Sequence, residues 1–184
     1  MAITKQVSNY DNDGECIAGG LYNDNNKISL GVEPPGYDAF TFFRFRSLSI
    51  EKAVSLVSAK LSLYYLGGTG SSVVRIQADD ADNSGIITSS ADFNSRTKTT
   101  AYVDWTLGSY SAGNWIDSPD IKSVIQEVID REGWASGNAL QLLITKVSGT
   151  GERYVSGRES GAANNPAILT LEPPATFIPQ IIIM

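Results

Sequence analysis

Residues 118–134 read SPDIKSVIQEVIDREGW, and here the apolar residues leave a two-residue repeat for a helical one. Ile121, Val124, Ile125, Val128 and Ile129 fall at i, i+3, i+4, i+7 and i+8, whereas Lys122, Gln126, Glu127, Asp130 and Arg131 take the other side. Ser118 has the chemistry of an N-cap, Pro119 suits the first helical position, Asp120 complements the positive end of the helix dipole, and Gly133 is placed to stop the helix. The spacing predicts one amphipathic surface helix over residues 119–131. Burying five branched aliphatics contributes a gross ~10 kcal/mol, which an isolated helix of about thirteen residues cannot recover for itself. The helix must therefore lie on a large apolar layer.

The rest of the chain predicts that this layer is built of strands. In residues 57–65, VSAKLSLYY, the odd positions are apolar while Ser58, Lys60 and Ser62 alternate with them. Residues 67–70, GGTG, then turn the chain, and Val74, Ile76 and Ala78 alternate with Arg75 and Gln77, which predicts a hairpin. Residues 37–46 send Phe40, Phe42, Phe43 and Phe45 to both faces, as an interior strand would. Residues 3–7, 16–22 and 27–30 read as edge strands separated by turns. Residues 79–98 form a long polar connection anchored by Ile86, Ile87 and Phe93. Strands follow at 99–105 and 139–145, and a last hairpin pairs 153–156 with 167–171. The expectation is an all-β jelly-roll β-sandwich of about ten strands with one helix. It spans residues 1–172 as one domain, followed by an apolar tail or terminal strand at 173–184.

At 184 residues the chain is long enough to bury a substantial core without staples. A net charge of −6 with no basic patch argues against nucleic acid or an anionic membrane as partner. Histidine is absent, which removes the usual general base and zinc ligand, and Cys16 has no second cysteine to pair with. Residues 1–6, MAITKQ, lack the apolar core of a signal peptide, so synthesis in a cytoplasm is expected.

The runs SLVSAKLSLYY (55–65), VVRIQADDADN (73–83), residues 99–144 and RYVSGRESGAANNPAILTLE (153–172) together resemble the DNRLRE-type β-sandwich modules and their relatives in phage virion proteins. The likeness lies in a strand of the form I-x-S-A-x-L-x-L-Y, a Trp-bearing strand before a helix like DI-x-x-I-V-Q-E, and S-x-E before P-x-L. It covers most of residues 37–172. The resemblance implies a non-enzymatic virion structural protein, foremost a capsid decoration or cement protein, or else a head or tail fibre component. Its expected partners are the major capsid protein or other virion proteins and further copies of itself, with a trimer as one closed form, and its expected location is the virion. The alternative is a carbohydrate-binding module that attaches to a glycan surface.

Two stretches carry candidate sites. The tail ends in Phe177, Ile178, Ile181, Ile182 and Ile183 with no charged side chain, a segment suited to docking on a neighbouring subunit by strand addition. Trp115, between Asn114 and Asp117, reads as a loop tryptophan able to stack on a sugar, whereas Trp105 and Trp134 read as core. The acidic runs 11–15 and 79–83 hold calcium-type ligands but do not complete an EF-hand spacing, so no metal or cofactor is expected. Arg158 and Glu159 read as structural hydrogen-bonding residues. No nucleophile has a base beside it, and no catalytic residue is assigned.

Overall fold

A computed structural model describes residues 1–22, 26–34, 36–158 and 165–175 of the chain. Phe177, Ile178, Ile181, Ile182 and Ile183 of the proposed docking tail, and Glu159, lie outside the described residues. The order is β1 (Ile3–Gln6), β2 (Asp13–Ile17), β3 (Gly20–Tyr22), β4 (Lys27–Glu33), β5 (Tyr37–Phe45), β6 (Ser58–Thr69), β7 (Ser72–Ala78), α1 (Ser90–Ser95), β8 (Val103–Leu107), β9 (Asn114–Asp117), α2 (Lys122–Ile129), β10 (Leu140–Gly149), β11 (Glu152–Ser156) and β12 (Ile168–Glu172). Hydrogen bonding links β1-β12-β6-β11-β4-β5-β10-β7-β8 into one curled antiparallel sheet, from which β2, β3 and β9 branch. The all-β sandwich predicted from the patterning is present. Among the described residues it has twelve strands and two α-helices rather than about ten strands and one helix.

Strand β5 is the corner of the curl. Ala39 pairs with Gly31 of β4, whereas Thr41 lies opposite both Ile144 of β10 and Glu15 of β2, so the strand leaves one layer and enters the other. Its side chains need cover on both faces. Phe43 and Phe45 enter the main core with Leu61, Leu63, Val74, Ile76 and Leu142, while Phe42 and Phe40 join a second cluster with Cys16, Ile87, Phe93 and Leu143. The connection between β7 and β8 supplies that second cover. Helix α1, which the sequence reading missed, is capped by Ser89, whose hydroxyl oxygen accepts the Asp92 N–H at 3.0 Å, and Phe93 stacks on Phe40 at 5.6 Å. A helix of one and a half turns with one apolar residue leaves no period to detect. Ile87 and Phe93 are buried anchors as expected, but Ile86 is exposed.

Two predicted hairpins are not formed. β6 pairs with β9, β11 and β12, and β7 with β8 and β10, so the chain crosses from one layer to the other between them. Gly70 permits the crossing: its φ is +75°, and a Cβ there would lie 2.8 Å from the Gly151 Cα. Alternation marks the inward residues of two strands equally well whether they lie side by side or face to face. The final pair fails similarly. Ser62 lies opposite both Ile168 and Asp117, and Tyr65 opposite both Val155 and Asn114. Thus β9 runs along one edge of β6, while β12 and β11 follow one another along the other. β4, read as an edge strand, is interior between β11 and β5.

Helix α2 presents the predicted face, with Ile121, Val124, Ile125, Val128 and Ile129 all buried, but it is shorter than residues 119–131. Its predicted cap has other work. The Ser118 hydroxyl oxygen accepts the Leu61 N–H at 3.0 Å, and Ser118 and Ile121 donate their own N–H groups to Leu61 and Ala59 of β6 at 2.9 Å each. Residues 118–121 thus extend the edge begun by β9 and cannot be helical. Asp120 serves both elements, since its Oδ1 accepts the N–H of Lys122 in α2 and of Ala59 in β6, each at 2.9 Å. Gly133, read as the helix stop, lies beyond the C-cap at Asp130, where its Cα faces the Asp82 carboxylate. Asp120→Ala is expected to destabilise the fold by about 1–3 kcal/mol, with Asp120→Asn close to the parent, in urea unfolding.

Candidate functional site

A cleft with a volume of about 570 Å³ is lined by Glu15, Ile17, Ala18, Tyr22, Asn26, Lys27, Glu33, Pro34 and Tyr37. Two hairpins build it. The β2–β3 hairpin turns at Ala18 and Gly19, with φ of +49° and +86°, and the β4–β5 hairpin closes with the Gly36 N–H donating to the Glu33 carbonyl at 2.9 Å. Both are tied to β5, through Cys16 opposite Phe40 and Gly31 opposite Ala39. Period two then sorts the side chains. On β4, Ile28, Leu30 and Val32 are buried in the apolar interior, which leaves Lys27, Ser29 and Glu33 for the opposite face. On β2, Cys16 enters the second apolar cluster and Glu15 points the other way.

Ser29 holds the two carboxylates. Its backbone N–H donates to Glu15 Oε2 at 2.6 Å, and its hydroxyl donates to Glu33 Oε2. The Ser29 carbonyl is in turn fixed by the Thr41 hydroxyl of β5. Lys27 Nζ lies 3.4 Å from Glu33 Oε1 and 3.9 Å from the centroid of the Tyr154 ring, so its charge is engaged on two sides. Burial pushes the Glu15 carboxyl above its usual value against the opposing pull of the Ser29 hydrogen bond, and the Glu33 charge adds to the rise. Burial, with the Glu33 charge next, also pushes the Tyr154 hydroxyl up to about 12. Tyr22 and Tyr37, the cross-strand neighbours of Glu15 and Glu33, are 44% and 50% exposed, whereas Glu15 is buried.

Sequence reading did not assign this site. Lys27 and Ser29 stood in a segment read as an edge strand over 27–30, Glu33 just beyond it, and Glu15 in an acidic run compared with a calcium loop. The signal was present in KISLGVE, where polar residues alternate with apolar ones, but alternation cannot say that the polar face is concave. Trp115 does not line the cleft. It is on β9, not in a loop, 42% exposed, with its ring edge-on to Tyr64 at 5.6 Å beside a row in which Asp117 accepts from Ser62 at 2.6 Å and Lys60 at 2.7 Å. Trp105 and Trp134 are buried as expected, the latter donating its ring N–H to the Ile50 carbonyl at 3.1 Å.

The other acidic run is engaged by arginines. Asp80 and Asp82 receive Arg131 at 2.5 and 2.7 Å, and Asp79 receives Arg96 at 2.9 Å. Arg158 donates its backbone N–H to Asp13 at 2.8 Å. Among the described residues no cluster of three or more His, Cys, Asp or Glu side chains is disposed to hold a metal ion.

No family model and no curated protein matches the sequence. Among solved structures, the chain is similar to one described as the Clostridium thermocellum N-terminal endo-1,4-beta-D-xylanase 10B CBM22-1-GH10 modules complexed with xylohexaose. The identity is 14% and the TM-score 0.34, and the match covers 96% of this chain and 29% of that one.

Because the folded-state pKa of Glu15 lies above the ordinary 4.5, the folded chain holds that proton more tightly than the unfolded chain. The stability linked to this group is fully present below the unfolded value and is lost as pH rises through the raised folded value. Urea midpoints of the parent are expected to carry this fall with rising pH, and the difference between parent and Glu15→Gln to track it.

Proposed function

We propose that the chain is a non-catalytic carbohydrate-binding domain whose sugar site is the cleft between the β2–β3 and β4–β5 hairpins. The observation that carries this reading is the placing of two half-exposed tyrosines, Tyr22 and Tyr37, along the same cleft as the fixed carboxylates of Glu15 and Glu33. A pyranose has apolar C–H faces and a rim of hydroxyl donors. Tyrosine rings cover the former and carboxylates accept from the latter, while a cleft of about 570 Å³ has room for a short oligosaccharide. The acids are already seated by Ser29, so little ordering accompanies binding.

Calorimetric titration with a panel of soluble neutral oligosaccharides tests the reading. Tyr22→Ala and Tyr37→Ala are each expected to weaken binding by about tenfold, and Trp115→Ala to leave it unchanged. Absence of binding across the panel, or loss of binding only in Trp115→Ala, would overturn it.

A virion structural role is the second reading. It draws on the family resemblance and on one feature of the fold: β12 is complete at Glu172, whose carbonyl accepts the Val57 N–H at 2.6 Å, before the uncharged sequence TFIPQIIIM begins. On this reading the tail docks on a capsid subunit or a second copy of the chain. Light scattering is then expected to show a defined oligomer for the full chain and a folded monomer for a chain ending at Ala175. The same number of copies in both would remove the tail from self-assembly.

A further inference from the structure

We propose that Lys27 and Glu33 form a donor–acceptor pair that holds two neighbouring ring hydroxyls of a neutral sugar, so that the cleft takes oligosaccharides with a free gauche vicinal diol. The inference rests on the sugar-binding reading above. Both residues line the cleft from β4, six positions apart, and Gly31 between them, at φ +92°, breaks the extended run of the strand. Lys27 Nζ and Glu33 Oε1 lie 3.4 Å apart, longer than the about 2.8 Å of a close charge-assisted hydrogen bond, so the pair is loose. Neither side chain is sealed off: that of Lys27 is 47% exposed and that of Glu33 21%.

Each member is anchored from behind. Glu33 Oε2 accepts the Ser29 hydroxyl, which leaves Oε1 as the oxygen turned to Lys27, and the Lys27 ammonium rests 3.9 Å from the centroid of the Tyr154 ring. An ammonium carries three donors and a carboxylate oxygen two lone pairs, so both atoms keep capacity for a ligand after these contacts. Gauche hydroxyls on neighbouring ring carbons stand about 3 Å apart, the spacing of two hydrogen-bond partners. That spacing matches the 3.4 Å between Nζ and Oε1. Since a hydroxyl both accepts and donates, one can accept from Lys27 while its neighbour donates to Glu33, each through a charge-assisted bond. A trans-diaxial pair of hydroxyls points its oxygens apart and engages one residue at a time. The opposite charges of the pair offset each other, which suits neutral hydroxyls better than an ion of either sign. Ser29 is the positioning residue for Glu33, and Tyr154 for Lys27.

Calorimetry would compare soluble oligomers of glucose, mannose and galactose linked through C4, each beside its counterpart methylated at O2 and O3, which leaves no ring a free vicinal diol. At least one unmethylated oligomer is expected to bind, and methylation to weaken it about tenfold, because the donor to Glu33 is lost. Lys27→Met, which keeps the apolar stem, is expected to weaken the unmethylated oligomer about tenfold, and Glu33→Gln to shrink the methylation penalty. Urea midpoints close to that of the parent establish that both variants fold. Equal binding of methylated and unmethylated oligomers by the parent, a penalty undiminished in Glu33→Gln, or parent-like affinity in Lys27→Met would overturn the inference. If binding in any of these cases still depends on Tyr22 and Tyr37, the sugar site stands without the diol pair. Binding of none of the oligomers would remove the sugar site and the inference together.

Discussion

Strand β5 must be covered on both faces, and the rest of the architecture answers to that requirement. A strand that sends Phe43 and Phe45 one way and Phe40 and Phe42 the other cannot lie on the outside of a two-layer sandwich. The main core covers the first pair. Covering the second requires material on the outer side of the sheet, which is where the polar connection between β7 and β8 folds back with Ile87 and Phe93. That return leaves polar backbone and many acids near an apolar cluster, and the arginine pairs follow from it. Arg96 joins Asp79 and Asp92 and donates to the Ile86 carbonyl, while Arg131, beyond α2, reaches Asp80 and Asp82. The Arg131 pairs are partly exposed and locate the connection more than they stabilise it, whereas Asp79 is buried and depends on Arg96 as its partner.

Inward and outward residues were legible in the sequence almost throughout, but partners were not. The alternation in residues 57–65 and 73–78 correctly places Leu61, Leu63, Val74 and Ile76 in one core, yet it is satisfied by a hairpin and by a crossing between layers alike. Deciding between them needs information that periodicity does not hold, such as the approach of Gly70 to Gly151, far apart in the sequence. The helix shows the same limit from another side. Its buried face follows from spacing, but its start depends on β6, because an unpaired strand edge claims Ser118 and Ile121 before the helix can.

The cleft was less legible than the fold for a related reason. Glu15, Ser29 and Glu33 are ordinary residues in ordinary strand positions, and they become a constellation only because two hairpins are pinned to the same strand. Cys16 opposite Phe40 fixes one and Gly31 opposite Ala39 fixes the other, one residue apart on β5. A tryptophan in a polar segment is a more conspicuous sequence signal than an alternating serine. Trp115 drew attention for that reason, and the structure places it on an outward sheet face away from the residues lining the cleft.

The cleft is lined by residues between 15 and 37, and the strands that line it also build the apolar interior. β4 sends Ile28 and Leu30 into the main core and β2 sends Cys16 into the second cluster, so a shift of either hairpin would disturb the apolar interior as well as the cleft. The chemistry of the pocket has to be judged on its own donors and acceptors. On that basis Ser29 is the residue that makes a pair of two distant acids, since its N–H donates to Glu15 and its hydroxyl to Glu33.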